Sequence, residues 1–237
     1  MSRVLAAHQP NYVPWLGFFY KILKCDIFLI SDNVQYTKNS FINRNLIKTP
    51  NGKKWLTVNV QKKGIKDKAI KDVKINNETG WRDYHWHIIR QSYTRSPHFN
   101  DYAQEIASVY QNYWQNLFEL NESLIKICCK ILGIHNLDFI RGSLINAPGK
   151  GTDQIIEECR ATGADTYISG YGGARYMEEE KFTRAGIKLV YSDFEHPTYR
   201  QLWGDFVPNL SVLDLIFNAG FKSANILHNA CKSGVMS

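Results

Sequence analysis

A parallel α/β sheet is what this 237-residue sequence predicts, and three observations predict it. Short apolar runs alternate along the chain with stretches whose apolar residues recur at spacings of three and four, the signatures of strands and amphipathic helices. One run, "CDIFLISD" at 25–32, is apolar without alternation, as a strand covered on both faces is. A 44% hydrophobic, 13% aromatic composition supplies a substantial core, so one α/β domain over 1–237 is expected.

The elements follow in chain order. Arg3–His8 reads as a first short strand. Pro14 suits a helix start, because its missing N–H is one that a first turn leaves unpaired, and Trp15, Phe18, Phe19, Ile22 and Leu23 form the apolar stripe after it. Cys25–Asp32 is the second strand. Residues 40–60, "SFINRNLIKTPNGKKWLTVNV", read as a hairpin around the turn at 50–52. The pattern is then helical from 81 to 132: one helix over Trp81–Tyr93, ending before Ser96-Pro97, one from about Asn100 to Leu117, and one from Asn121 to a C′ glycine at Gly133. "DFIRGSLI" at 138–145 is a strand. The helix after it is capped by Thr152 and closed by Gly163. "TYISG" at 166–170 and "IKLVYSDF" at 187–194 are strands, and 210–220 is a helix with Ser211 and Asp214 at capping-box spacing and Gly220 at its end. The whole reads as a mostly parallel, Rossmann-like sheet flanked by helices, with a β-hairpin and a helical insertion or lid at about 81–132.

Composition excludes several classes. No segment reaches the roughly 18 apolar residues of a membrane helix, and Ser2-Arg3 leads into too short an apolar run for a signal peptide, so no integral membrane segment and a cytoplasmic location are expected. The five scattered cysteines contain no CxxC pair and read as reduced, mostly buried thiols. A net charge of +7 permits a polyanionic partner. Much of that charge lies in the lysine-rich stretch 48–74, which also suits an edge hairpin protected by lysines. No helix-turn-helix, RNP or zinc-finger pattern supports nucleic acid. His85 and His87, two apart on a helix, point to different faces, and no metal is expected.

Ligands of open α/β sheets bind at the carboxyl ends of the strands, and four of those ends are rich in polar residues here. The first carries His8, Gln9 and Asn11, stiffened by Pro10 and Pro14. The second carries Asp32, Gln35, Tyr36, Asn43 and Arg44. The third is "SGYGGARY" at 169–176, with Ser169, Gly170, Tyr171, Gly172, Gly173 and Tyr176. The fourth is "DFEHPTYRQLW" at 193–203, with His196, Tyr199 and Gln201. An imidazole at a strand end is the natural proton acceptor near neutral pH. Asp32 is a candidate to orient it or to bind a sugar hydroxyl, and a turn-forming role is an equal alternative. Gln35, Asn43 and Arg44 suit hydroxyl, amide and phosphate groups. The glycines of 170–173 let backbone N–H groups approach an anion, without forming a Walker or G-x-G-x-x-G motif. Tyr171 and Tyr176 are candidates to stack on a ring.

The blocks "HQPNYVPWLGFFYKI", "SDNVQYTKNSFINRN", "YISGYGGARYM" and "YRQLWGDFVPNLSVLDLIFNAG" resemble, in order, the motif blocks of the WbqC-like family, from residue 4 to about 220. Trp15 and Asn209 fall within these blocks. Members of that family are linked to surface-polysaccharide and O-antigen gene clusters, so the resemblance implies work on a glycan precursor and leaves the reaction open. Three functions are then expected in order. The first is a transferase of N-acyl or aminoacyl groups acting on a nucleotide-linked amino sugar. There His8 is the base, the diphosphate is held by Arg44 and the glycine loop, no cofactor is tightly bound, and an acyl or aminoacyl carrier is the second partner. The second is nucleotidyl transfer, because the histidine after strand one resembles HIGH-type folds, although no second histidine stands near Gly17. The third is a non-catalytic binding or assembly protein of a glycan pathway.

Overall fold

The computed structural model describes residues 2–135 and 137–230. Five strands form one parallel sheet: β1 (Val4–His8), β2 (Ile27–Ile30), β5 (Asp138–Arg141), β6 (Thr166–Ser169) and β7 (Lys188–Tyr191), in the order β5-β2-β1-β6-β7. The chain works outward from β1 to β5, then returns to the other side of β1 for β6 and β7. Strand order therefore reverses between β1 and β6, which is where doubly wound sheets open a ligand crevice.

The strands are covered on both faces, and their side chains divide with period two. Ala6, Phe28, Ile30 and Ile168 point into the larger core. Leu5, Ile27, Leu29 and Tyr167 point into a smaller core with Ile156 and Cys159 of α5 (Thr152–Thr162) and Phe182 of α6 (Glu179–Arg184). Double burial explains why β2 is an unbroken Ile-Phe-Leu-Ile run.

Between β2 and β5 the chain makes a long excursion. A separate antiparallel hairpin pairs β3 (Arg44–Thr49) with β4 (Gly52–Thr57) around Pro50-Asn51, with Gly52 at φ +94. Three helices follow: α2 (Trp81–Tyr93), α3 (Phe99–Gln111) and α4 (Leu117–Ile131). Their buried residues join the same core as the sheet and as α1 (Leu16–Leu23) and α7 (Val212–Ala219). A short α8 (Ser223–His228) packs on α1.

Several boundaries differ from the sequence expectation for local reasons. The second and third helices of the block break at 112–116 rather than 117–121. Asn112 is extended, and Asn116 caps α4 by accepting from the Phe118 N–H at 2.9 Å. Pro14 is not in α1; the helix begins at Leu16, and the Pro14 carbonyl accepts from Val212 N–H. Thr152 does not cap α5. Its hydroxyl accepts from the Glu178 N–H at 3.1 Å, and Gly151 precedes the helix. Gly163 and Gly133 do close their helices, at φ +68 and +70, and Ser211 caps α7 through Leu213 N–H. Cys128, Cys129 and Cys159 are buried free thiols and Cys25 is half-buried; Cys231 lies outside the described residues. No described helix is long and apolar enough to cross a membrane.

Candidate functional site

The carboxyl ends of β1, β6 and β7 meet around a cavity of about 120 Å³ lined by His8, Trp15, Gly17, Phe18, Lys21, Gly170, Tyr171, Ser192 and Phe194. Pockets that enclose a whole small-molecule ligand measure roughly 300–1,000 Å³, so this one has room for one group of a larger molecule and not for a whole nucleotide sugar. It lies at the β1/β6 switch point. A wider cleft of about 520 Å³ runs between the hairpin turn and α2, past Thr49, Lys54, Arg95 and Trp203, and includes no residue of β1, β6 or β7.

His8 closes β1, with its ring edge-on to Phe18 at 4.9 Å. Its Nδ1 lies 2.8 Å from the Gln9 carbonyl. A carbonyl only accepts, so Nδ1 carries the proton and Nε2 keeps the lone pair. Burial, together with the neighbouring Lys21 ammonium, holds the imidazole down to about 3, so His8 is neutral at physiological pH. Lys21 reaches the cavity from α1 and donates to the Ala7 carbonyl at 2.7 Å. Trp15 stands edge-on to Phe194 at 5.3 Å. Its ring passes so close to Gly17 that a Cβ there would lie 2.4 Å from it, which explains why a glycine occupies the first turn of α1.

Of the residues singled out in the sequence, the cavity gathers His8, Trp15, Gly170 and Tyr171. Gln9 and Asn11 follow His8 directly, and Asn11 is buried, but neither lines the cavity. Ser169 is buried and its hydroxyl donates to the Gly170 carbonyl. The glycine loop is one 3₁₀ turn: the Gly173 amide donates to the Gly170 carbonyl at 2.8 Å instead of waiting for an anion. A Cβ on Gly173 would meet Ser169 Oγ at 2.0 Å. Tyr176 is exposed, and neither it nor Gly172 lines the cavity.

Asp32 does not orient His8. Its two carboxylate oxygens accept from the Ser143 N–H and hydroxyl, both at 2.7 Å, because the end of β2 faces the end of β5 on that side. The second block packs beside the first without reaching the cavity. Asn121 of α4 donates to both the Pro10 and Ile42 carbonyls at 2.8 Å. Gln35 donates to Asp67, and Asn43 to the Val58 carbonyl. Tyr36 is buried, and its hydroxyl has no partner among the described residues. Arg44, expected on phosphate, lies on β3 with its guanidinium 4.3 Å above the Trp55 ring.

The fourth block is tied to its own neighbourhood. His196 Nδ1–H donates to the Pro197 carbonyl, and Nε2 accepts from the Asn209 N–H at 3.0 Å. Asn209 itself sits at φ +60. Gln201 accepts from Val207 N–H and returns a bond to the Val207 carbonyl, while the buried Lys48 ammonium donates to Gln201 and to the Gly204 and Asp205 carbonyls. Tyr199 and Tyr93 both donate to the buried Asp214. Apart from the exposed Asn209, whose backbone N–H alone is engaged, the side chains named there bond within the protein.

Lys21, Ser192 and Phe194 were missed by sequence reasoning. Lys21 stands on a helix whose apolar stripe gives it no distinction. The signal available for the other two was their place at the end of the 187–194 strand.

The fold class is a doubly wound parallel α/β sheet, with a histidine, a lysine and aromatic walls around the cavity at its switch point. The chain belongs to the WbqC-like protein family, which it matches over residues 9–226. It is 36% identical over 227 residues to the uncharacterized protein Rv1507c of Mycobacterium tuberculosis, across 95% of this chain and 97% of that one. No solved structure matches the chain.

Proposed function

We propose that the protein is a transferase of surface-glycan precursor synthesis that moves an acyl or aminoacyl group onto a nucleotide-linked amino sugar. The observation that carries this reading is the position of His8, neutral and with Nε2 unprotonated, at the crevice of a doubly wound sheet. The glycan context comes from the family resemblance. In the reaction the sugar amine attacks the carbonyl of the activated acyl group. The new C–N bond forms, the bond from that carbonyl to its carrier breaks, and the amine proton passes to His8 Nε2 and on to the departing carrier. The cavity holds one group of the substrate, with the rest of the nucleotide sugar outside along the strand ends.

The test is incubation of the purified protein with nucleotide-linked amino sugars and acyl or aminoacyl donors, read by mass spectrometry. An N-acylated sugar nucleotide, formed at least about a hundredfold more slowly by His8→Ala, is expected for a positioned acid–base group. No product across a broad panel would sink the reading. The strand order also suits a nucleotidyl transferase, for which ATP-dependent release of pyrophosphate is the diagnostic. Tight binding of intact ligand without turnover would favour a binding protein.

A further inference from the structure

The switch-point cavity contains a charge that the fold leaves unpaired. Lys21 is 5% exposed. Its ammonium has three donors, and the Ala7 carbonyl takes one of them. Among the described residues no carboxylate lies within ion-pair distance of it. The titratable groups around it are accounted for. His8, from β1, is neutral. Cys25, after α1, is a thiol pushed up to about 12 by burial. Tyr171, after β6, lines the same cavity. Asp193, between Ser192 and Phe194, accepts instead from the Tyr20 hydroxyl at 2.8 Å. Burial lowers Lys21 to about 8, which leaves most of it protonated at neutral pH. A buried ammonium with a single neutral acceptor is unfavourable unless something else completes its shell.

We propose that Lys21 anchors an anionic group of the ligand, one phosphate or carboxylate, seated in the cavity between His8 and Gly170. This deepens the transferase reading by naming the group that the 120 Å³ cavity receives, and it moves the anion anchor from Arg44, which is stacked on Trp55, to α1. Burial is the larger cause of the lowered His8 imidazole and Lys21 the smaller; the same anion would offset the Lys21 repulsion, so the imidazole becomes a better proton acceptor once substrate is seated.

The experiment is isothermal titration of the protein with sulfate, and in a second arm with acetate, at constant ionic strength. Sulfate does not titrate between pH 6.5 and 9.5, so any change in its affinity there belongs to the protein. Wild type is expected to bind one of the two anions, with affinity falling as pH rises through about 8 and Lys21 loses its charge. Lys21→Met is expected to bind at least about tenfold more weakly, the loss of one charge-assisted hydrogen bond. It should also be no less stable than wild type without ligand, because it removes an unpaired buried charge. Preference for sulfate assigns a phosphate and preference for acetate a carboxylate. The proposal is overturned if neither anion binds, if affinity is flat across that pH range, or if Lys21→Met binds as well as wild type. Loss of stability in Lys21→Met with unchanged binding overturns it too, and marks Lys21 as a structural tether. None of these readings needs turnover, so they judge Lys21 separately from the transfer assay.

Discussion

Glu158 is buried in α5, where Gln154 Nε2 donates to it at 3.1 Å and no cation among the described residues lies within ion-pair distance. Burial raises its carboxyl to about 7. The folded protein therefore holds this proton more tightly than the unfolded chain does. The contribution is complete below the unfolded value near 4.5 and is lost as pH rises through about 7. Glu158→Gln keeps the shape and removes the titration. It is expected to match wild type in urea unfolding at pH 4.5 and to exceed it by roughly 2–3 kcal/mol at pH 8; an equal difference at both pH values would contradict this. Lys21 and Glu158 are both buried titratable groups with no ion-pair partner among the described residues, yet Lys21 lines the switch-point cavity and Glu158 does not, and that separates a ligand anchor from an element of packing.

At the scale of elements, the site depends on how the loop after β1 is clamped. The loop runs through Pro10 to Pro14 and carries the chain from His8 into α1. Its backbone is held by Asn121 of α4 at the Pro10 carbonyl, by Asn45 of β3 at the Tyr12 and Val13 carbonyls, by Tyr12 N–H on the Phe41 carbonyl, and by Val212 N–H on Pro14. Prolines stiffen the loop, and side chains from the long excursion aim it. Asn121→Ala leaves two buried carbonyls without their donor. It is expected to cost about 2–4 kcal/mol of stability in chemical denaturation and to weaken ligand binding by loosening the loop that follows His8. A variant within about 0.5 kcal/mol of wild type would show that the clamp is dispensable.

At the scale of the molecule, the block at 81–132 and the sheet share one core. Phe28 of β2, Ile89 of α2, Ile106 of α3, Leu124 of α4 and Phe217 of α7 belong to the same buried cluster. A lid that opens by itself needs a weak interface, and this one is built from fully buried aliphatic and aromatic side chains. Urea unfolding followed by the fluorescence of the six tryptophans, three of them (Trp81, Trp86 and Trp114) in the block and three outside it, and by circular dichroism of the whole chain, is expected to give coincident single-step transitions. A fluorescence transition in two steps would show that the block and the sheet unfold separately.

Much of this architecture is local chemistry, and local chemistry can be read along the chain. Unbroken apolar runs marked the central strands, Pro-Asn-Gly marked the hairpin, Gly133 and Gly163 marked helix ends, and His8 stood where the first strand stops. Each depends on residues within a few positions of one another. The boundary between α3 and α4 was missed because a capping asparagine inside an apolar-aromatic stretch looks like more helix. The strand order, and with it the crevice between β1 and β6, depends on pairings between residues more than a hundred positions apart, which no window of sequence contains. The same holds for the candidate site. Polar residues gathered at four strand ends looked equivalent in the sequence. Folding committed the fourth group to the bonds around Lys48 and Asp32 to Ser143, and it brought Lys21, a lysine inside an apolar helix, to His8. Which polar groups are satisfied and which are left for a ligand is a property of nonlocal hydrogen bonding and burial, and only the packed chain has it.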